Sequence, residues 1–179
     1  MKLYILKSES ENHRWIELTE NYFDFFWNML DSNRIDFFND SIKWRTFRDK
    51  KNVQLGDFPH FTVPVISQAA YNVLNTYLTD LTQIFPFAMN KKYGQYYFIN
   101  IINVLDCLDL SKSDINFFSD GRIYKINKFS FNSNISKMNT TIFKIKKFER
   151  GDVFVNENIK KIIEVSELDG FTFQEVADV

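Results

Sequence analysis

The sequence is short of the residues that most catalytic and metal sites need. Its single cysteine, Cys107, excludes an internal disulfide and is typical of a reducing compartment. Only two histidines are present, and His13 and His60 share no metal-ligand spacing with each other or with Cys107. The five glycines form no phosphate-binding loop, and no serine lies in a GxSxG nucleophile sequence. We therefore expect no metal, no cofactor and no catalytic residue.

The chain also lacks a charge excess and a long apolar run. Its 22 basic and 23 acidic residues give a net charge of −1, whereas nucleic-acid-binding domains usually carry a basic excess. The most apolar window, residues 96–105, is interrupted by Asn100 and Asn103 and is shorter than the ~20 residues of a membrane-spanning helix. The apolar patch within residues 1–11 is too short for a signal peptide. We expect a cytoplasmic protein with neither a nucleic-acid nor a membrane partner.

Two short basic clusters do not change this expectation. Short charge runs usually lie on solvent-exposed faces, and we predict that location for both clusters. They consist of Lys144, Lys146 and Lys147, and of Arg45, Arg48, Lys50 and Lys51.

Aromatic residues are abundant, with 20 Phe, 8 Tyr and 3 Trp making up 17% of the chain. Each ring can bury roughly 150–250 Å², so the surplus fits either a thick core or an exposed partner surface. Trp, Tyr and Arg are the residue types enriched at interface hot spots, whereas core packing is the ordinary explanation. A pocket for a small ligand is a third interpretation. The candidate partner-binding residues are Tyr22, Phe23, Trp27, Asp31, Arg34, Asp36 and Trp44.

Apolar periodicity predicts three helices. One is centred on the aromatic residues 22–30, and a second begins after Ser67, which has the side chain of an N-cap. A third begins at Asn156 or Glu157, and we expect it to end at Gly170 in the left-handed conformation that glycine adopts most easily.

Alternation of apolar and polar residues predicts the strands. Residues 2–7 and 13–18 alternate, as do 122–131 and 141–148, and we expect the last two segments to pair with each other. A closing strand is predicted in FTFQEV, at residues 171–176. The predicted fold class is α+β, mainly antiparallel sheet with two or three helices packed against it.

Asp106 and Asp109 are the best candidates for paired carboxylates. Three positions apart, they would share one face of a helix, and a raised pKa of one carboxyl could then serve acid–base chemistry. Acidic residues directly after a strand more often accept hydrogen bonds from free backbone N–H groups in a turn. We favour the turn interpretation, because no nucleophile or metal ligand stands nearby in the sequence.

The order of several motifs resembles an immunity-protein family of bacterial polymorphic toxin systems. The resemblance covers about residues 56–179, and residues 1–55 are expected to form a variable, aromatic-rich elaboration packed on that core. Each motif alone is weak, and their shared order and spacing carry the resemblance. The motifs are Asp57 with Pro59, the VPVIS segment ending at Ser67, Pro86, Tyr97 through Asp109, Ser113, IFKI at 142–145, the helix within 154–163, Gly170 and Phe173.

The resemblance implies a protein that binds rather than catalyses. Members of such a family protect the producing cell by binding a cognate toxin encoded nearby, and the implied mechanism is occlusion of the toxin's active site. The matched residues Asp106, Asp109, Ser113 and Gly170 are then expected to be structural. The alternatives are a ligand-binding or regulatory module that uses an aromatic pocket, and an enzyme that uses the two aspartates.

Overall fold

A computed structural model describes residues 1–9, 11–18, 23–38, 43–47, 54–88, 92–135, 138 and 140–178. Within these residues the fold is α+β, as predicted, and its strands are joined mainly in antiparallel pairs. The elements in chain order are β1 (Lys2–Ser8), β2 (Trp15–Leu18), α1 (Phe23–Leu30), β3 (Trp44–Phe47), β4 (Val65–Ser67), α2 (Gln68–Leu78), β5 (Thr82–Ala88), β6 (Gln95–Ile101), β7 (Val104–Leu105), β8 (Asp114–Phe117), β9 (Ile123–Lys128), β10 (Ile142–Ile145), β11 (Val153–Asn156), α3 (Glu157–Val165) and β12 (Phe171–Asp178).

The largest sheet has five strands in the order β12-β1-β11-β10-β7. All neighbours are antiparallel except β7, which runs parallel to β10. Strand β1 therefore lies inside the sheet, between β11 and β12, which follow it by most of the length of the chain. The expected division of the chain at residue 55 stays a prediction, but the first strand is part of the main sheet.

A second sheet, β4-β6-β5, the two-stranded sheet β2–β3 and the β8–β9 hairpin complete the strand pairing of the described residues. Strands β2 and β3 pair across α1, which lies between them in the chain. Pro86 lies in β5, at the edge of its sheet, where a missing backbone N–H costs no ladder hydrogen bond.

The main sheet is covered on both faces. Alternate residues of β1 point to opposite faces of the sheet. Tyr4 packs with α2 and α3 on one face, while Leu3 and Ile5 pack with the β8–β9 hairpin and its loops on the other. A third apolar cluster joins α1, through Phe26 and Met29, to the inner face of the β4-β6-β5 sheet. The aromatic surplus is thus used partly in the core, since Phe98, Phe143 and Phe154 are fully buried.

The predicted N-cap at Ser67 and the predicted start of the third helix at Asn156 or Glu157 are confirmed, and Asn156 is the N-cap of α3. Ser67 Oγ accepts a hydrogen bond from Ala70 N at 3.1 Å, and Asn156 Oδ1 accepts one from Ile159 N at 3.0 Å. Each bond satisfies one of the backbone N–H groups that the first turn of a helix leaves free.

The prediction that Gly170 ends α3 was wrong. The helix ends at Val165, and Glu167 takes the left-handed conformation with φ 53°. Glu167 N donates to Glu164 O and Leu168 N to Ile163 O, the two hydrogen bonds of a Schellman motif. Gly170 does have a left-handed φ of 84°, but it belongs to the turn into β12.

The predicted pairing of residues 122–131 with 141–148 was also wrong. Strand β9 pairs with β8, a short segment whose burial follows no clean alternation, and β10 pairs with β11 and β7. All four residues of β10 are buried because both faces of the main sheet are covered, so β10 could not form an exposed hairpin with β9.

The only cysteine of the chain, Cys107, is buried against the hairpin face of the main sheet. Burial raises the pKa of its thiol to about 12, so the group stays protonated at neutral pH.

The left-handed Glu167 gives a stability prediction. Replacing Glu167 with Gly should raise the free energy of unfolding by about 1 kcal/mol, because the steric penalty of a left-handed L-residue disappears. Chemical denaturation followed by circular dichroism measures the change. Glu167→Ala is the matched control, since it removes the same side chain but keeps the Cβ, and it should give no comparable gain. Equal stabilisation by both variants would contradict the backbone explanation.

Candidate partner-binding face

Three distant chain segments meet at one exposed face. They are the C-terminal end of α1, the tip of the β8–β9 hairpin and the turn between β10 and β11. A groove of about 440 Å³ lies between them. We call this surface the groove face and define it by Trp27, Asp31, Phe118, Arg122, Tyr124, Lys147, Phe148 and Arg150.

An ion pair joins α1 to the β10–β11 turn. Arg150 Nε and Nη2 donate to the two carboxylate oxygens of Asp31 at 2.5 and 2.8 Å. Hydrogen bonding by the guanidinium holds the pKa of Asp31 below its ordinary value. The same guanidinium lies 4.5 Å from the ring centre of Trp27, whose side chain is 46% exposed. A bidentate bond and a cation–π contact together fix the plane of Arg150.

The hairpin tip carries a second pair of a cation and a ring. Arg122 lies 5.7 Å from the ring centre of Phe118, and its Nε donates to Asp120 Oδ2 at 2.8 Å. Phe118 meets Tyr124 edge to face, with ring centres 5.1 Å apart. Both rings are largely exposed, at 49% and 60%. Exposed Phe and Tyr beside Arg have the composition of an interface hot spot rather than of a core.

The turn between β10 and β11 forms the floor of the groove. Lys147 is in the left-handed conformation with φ 67°, and its N–H donates to Glu149 Oε1 at 2.9 Å. Its carbonyl accepts from Ile123 N at 3.0 Å, which ties the turn to the hairpin. Gly151 leaves room for the Phe148 ring, because a Cβ at Gly151 would lie 2.2 Å from that ring.

Buried Lys144 fixes α1 to the main sheet. Its side chain is 3% exposed, and Nζ donates to the carbonyl oxygens of Met29 and Leu30 at 3.1 and 3.0 Å. These carbonyls are at the C-terminus of α1, where the helix leaves acceptors free and the dipole favours a cation. Burial lowers the pKa of Lys144 to about 8, and the charge of Asp31 opposes that shift. The prediction of a solvent-exposed face was therefore wrong for Lys144, while Lys146 and Lys147 are exposed.

Two amide side chains hold the segment that follows α1. Gln83 donates to Ile35 O at 3.0 Å and accepts from Ile35 N at 2.8 Å, as a neighbouring strand would. Fully buried Asn100 donates to Asn33 O at 2.7 Å and to Gln83 Oε1 at 3.0 Å. Partly buried hydrogen bonds thus hold the segment that directly follows the α1 side of the groove face.

A family model matches residues 20–178 and is described as the immunity protein family Imm11. The chain belongs to this family. The predicted resemblance is confirmed, and the match begins at residue 20 rather than at about residue 56. All residues of the groove face lie within the match. No curated protein matches the chain. Membership of Imm11 suggests a role in neutralising a toxin and implies that a toxin is the binding partner.

The predicted partner-binding residues divide into three groups in this Imm11 protein. Trp27 and Asp31 lie on the groove face, and Arg34 and Asp36 are exposed in the segment that follows α1. Tyr22 lies outside the described residues. Phe23 belongs to α1 and Trp44 to β3, but their side chains lie outside the description.

Sequence reasoning missed the other half of the groove face. Arg150 lies 119 positions from Asp31, so no local pattern could join them. The alternation in residues 122–131 predicts a strand that contains Arg122 and Tyr124, but it does not identify the strand that pairs with it. Their composition, an Arg beside aromatic residues, was the one available signal.

Asp106 and Asp109 lie in the connection after β7 with different partners. Asp109 Oδ1 accepts from Ser111 N at 3.1 Å and from Ser111 Oγ at 2.6 Å, as in a turn. Hydrogen bonding from Ser111 lowers the pKa of Asp109, the opposite of what a general acid needs. Asp106 forms a surface ion pair with Lys146 at 3.0 Å. Ser113 Oγ bridges to Ser130, donating to its O and accepting from its N.

The remaining polar clusters also lack a complete catalytic arrangement. Ser8 Oγ lies 3.1 Å from His60 Nδ1, but His60 has no carboxylate partner among the residues described. Buried His13 bonds Glu9 and Asp169 at 2.7 and 2.8 Å, which ties the chain after β1 to the turn before β12. In the described part of the chain no group of three His, Cys, Asp or Glu side chains could hold a metal ion, and no helix there could span a membrane.

Lys144→Met tests whether α1 is held by the buried amine. At pH 7 the free energy of unfolding should fall by about 1–3 kcal/mol, because two buried carbonyl oxygens lose their donor. Chemical denaturation measures the change, and Lys146→Met is the control because its surface ion pair contributes little.

The same pair of proteins gives a pH test. The unfolded chain titrates Lys144 at its ordinary, higher pKa, so between about pH 8 and that value the unfolded state binds more protons. Wild-type stability relative to Lys144→Met should therefore rise with pH across this window. A difference that stays constant, or falls, would contradict a buried cation at this position.

Proposed function

We propose that the protein binds a cognate bacterial toxin, encoded nearby, and neutralises it by covering the toxin's active site. The observation that carries the proposal is the Imm11 match, which encloses the whole groove face. Inhibition by binding needs an ordered surface rather than a reacting group. The groove face is such a surface, because its exposed rings lie on elements that hydrogen bonds hold in place.

The size of such a surface is within reach of this protein. A stable protein–protein interface buries about 800 Å² on each partner, and a few Trp, Tyr and Arg side chains supply most of its binding energy. The accessible surface is 10116 Å², so such an interface would use a small part of it. Trp27, Arg150, Phe118 and Tyr124 are exposed side chains of the required types on one face.

Small-ligand binding is the second candidate function. The groove volume of about 440 Å³ lies within the range of small-molecule sites, roughly 300–1,000 Å³, which favours it. Its wall, however, is made of largely exposed rings and charged side chains. A ligand that co-purifies and raises the melting temperature would support this function over toxin binding.

Co-expression with the product of the neighbouring gene tests the proposal. If that product is a toxin, the wild-type chain should restore growth of cells that produce it. The two proteins should also co-elute as one complex in size-exclusion chromatography. Growth arrest despite co-expression, together with separate elution, would overturn the proposal.

Replacing both Asp106 and Asp109 with Asn tests the enzyme alternative. Protection should persist at the wild-type level, because neither carboxylate has the environment of a general acid and occlusion needs no proton transfer. The readout is growth in the co-expression assay, with thermal unfolding of the variant to check its fold. Loss of protection in a folded variant that still binds the toxin would favour catalysis.

A further inference from the structure

We propose that the groove face is the surface that meets the toxin, and that its groove takes an acidic, apolar-tipped segment of the toxin whose carboxylate pairs with Lys147. This inference rests on the proposed function and adds to it the binding surface and the chemistry of the partner. Three features of the groove support it.

The first feature is a cation in the groove without an ion pair in the described part of the chain. Arg150 is paired with Asp31, and Arg122 is paired with Asp120. Glu149 keeps its charge, but its carboxylate is held against the turn by the backbone N–H of Lys147. The exposed ammonium of Lys147 has no carboxylate within 4.0 Å among the described residues, so it is the cation available to a partner. A carboxylate is the group that complements it.

The second feature is the apolar wall. Phe118 and Tyr124 are exposed on one side of the groove, Trp27 lies beyond Arg150 on the other, and Phe148 is partly buried between them. A partner side chain that covers these rings would remove apolar surface from water on both molecules. The segment that fits therefore presents an apolar residue next to its carboxylate.

The third feature is that both walls are already ordered. Lys144 and the Asp31–Arg150 pair fix the α1 side, and the Ile123 N to Lys147 O hydrogen bond fixes the hairpin to the turn. Ordering side chains on binding costs free energy, so a surface ordered beforehand binds more tightly for the same contacts.

The test measures the affinity of purified toxin for three single variants by calorimetry. Lys147→Glu should weaken binding about 100-fold or more, and Tyr124→Ala about 10-fold or more, as expected for a central charge and ring. Lys161→Glu is the charge-matched control, because Lys161 is exposed on α3, on the other face of the main sheet, and it should stay within about threefold of wild type. The three variants should keep the wild-type melting temperature, since the replaced side chains are exposed.

A charge exchange identifies the partner residue. Replacing one acidic residue of the toxin with Lys should restore binding to Lys147→Glu while weakening binding to wild type. If wild type binds and Lys147→Glu and Tyr124→Ala bind equally well, the groove face is not the interface, although the proposed function stands. If wild type itself neither binds nor protects, the proposed function fails first.

Discussion

The hydrogen bonds from Lys144 to the end of α1 are the constraint on which the exposed face depends. Lys144 lies on β10, an inner strand of the main sheet, and its ammonium donates to the carbonyl oxygens of the last two residues of α1. Burying this cation is costly, in keeping with its lowered pKa, and the free acceptors and negative dipole at the end of α1 offset only part of the cost. The sheet thereby sets the position of α1, and α1 sets the positions of Trp27 and Asp31.

The supports around this amine differ in burial and therefore in strength. The Asn100 and Gln83 contacts lie inside the protein, whereas the Asp31–Arg150 pair is partly exposed and more easily screened by salt. Asn100 Oδ1 has no hydrogen-bond partner among the described residues, so one acceptor of this amide cluster is unsatisfied there. The Asp31–Arg150 pair therefore lies near solvent, whereas α1 is held by the buried hydrogen bonds of Lys144.

Local signals were readable from the sequence, and distant ones were not. The N-cap at Ser67 and the start of α3 at Asn156 or Glu157 are predictable from the sequence, because a helix start depends on residues within a few positions of one another. The left-handed φ of Gly170 was predicted too, but α3 ends at Val165 and its left-handed residue is Glu167, a residue type that rarely takes this conformation. Lys144 was assigned to an exposed cluster because its neighbours are lysines; only the covered second face of β10 makes it buried. The groove face combines segments up to 119 positions apart, so only the α1 part could be proposed from the pattern.

The position of β1 also determines when the fold can be completed during synthesis. This strand precedes the other described strands in the chain, yet its partners β11 and β12 follow almost all of them. Until those residues leave the ribosome, β1 has no neighbour and the main sheet cannot close, and such distant pairing is slow. A nascent or truncated chain that lacks β11 and β12 would therefore leave both edges of β1 unpaired and could not close the main sheet.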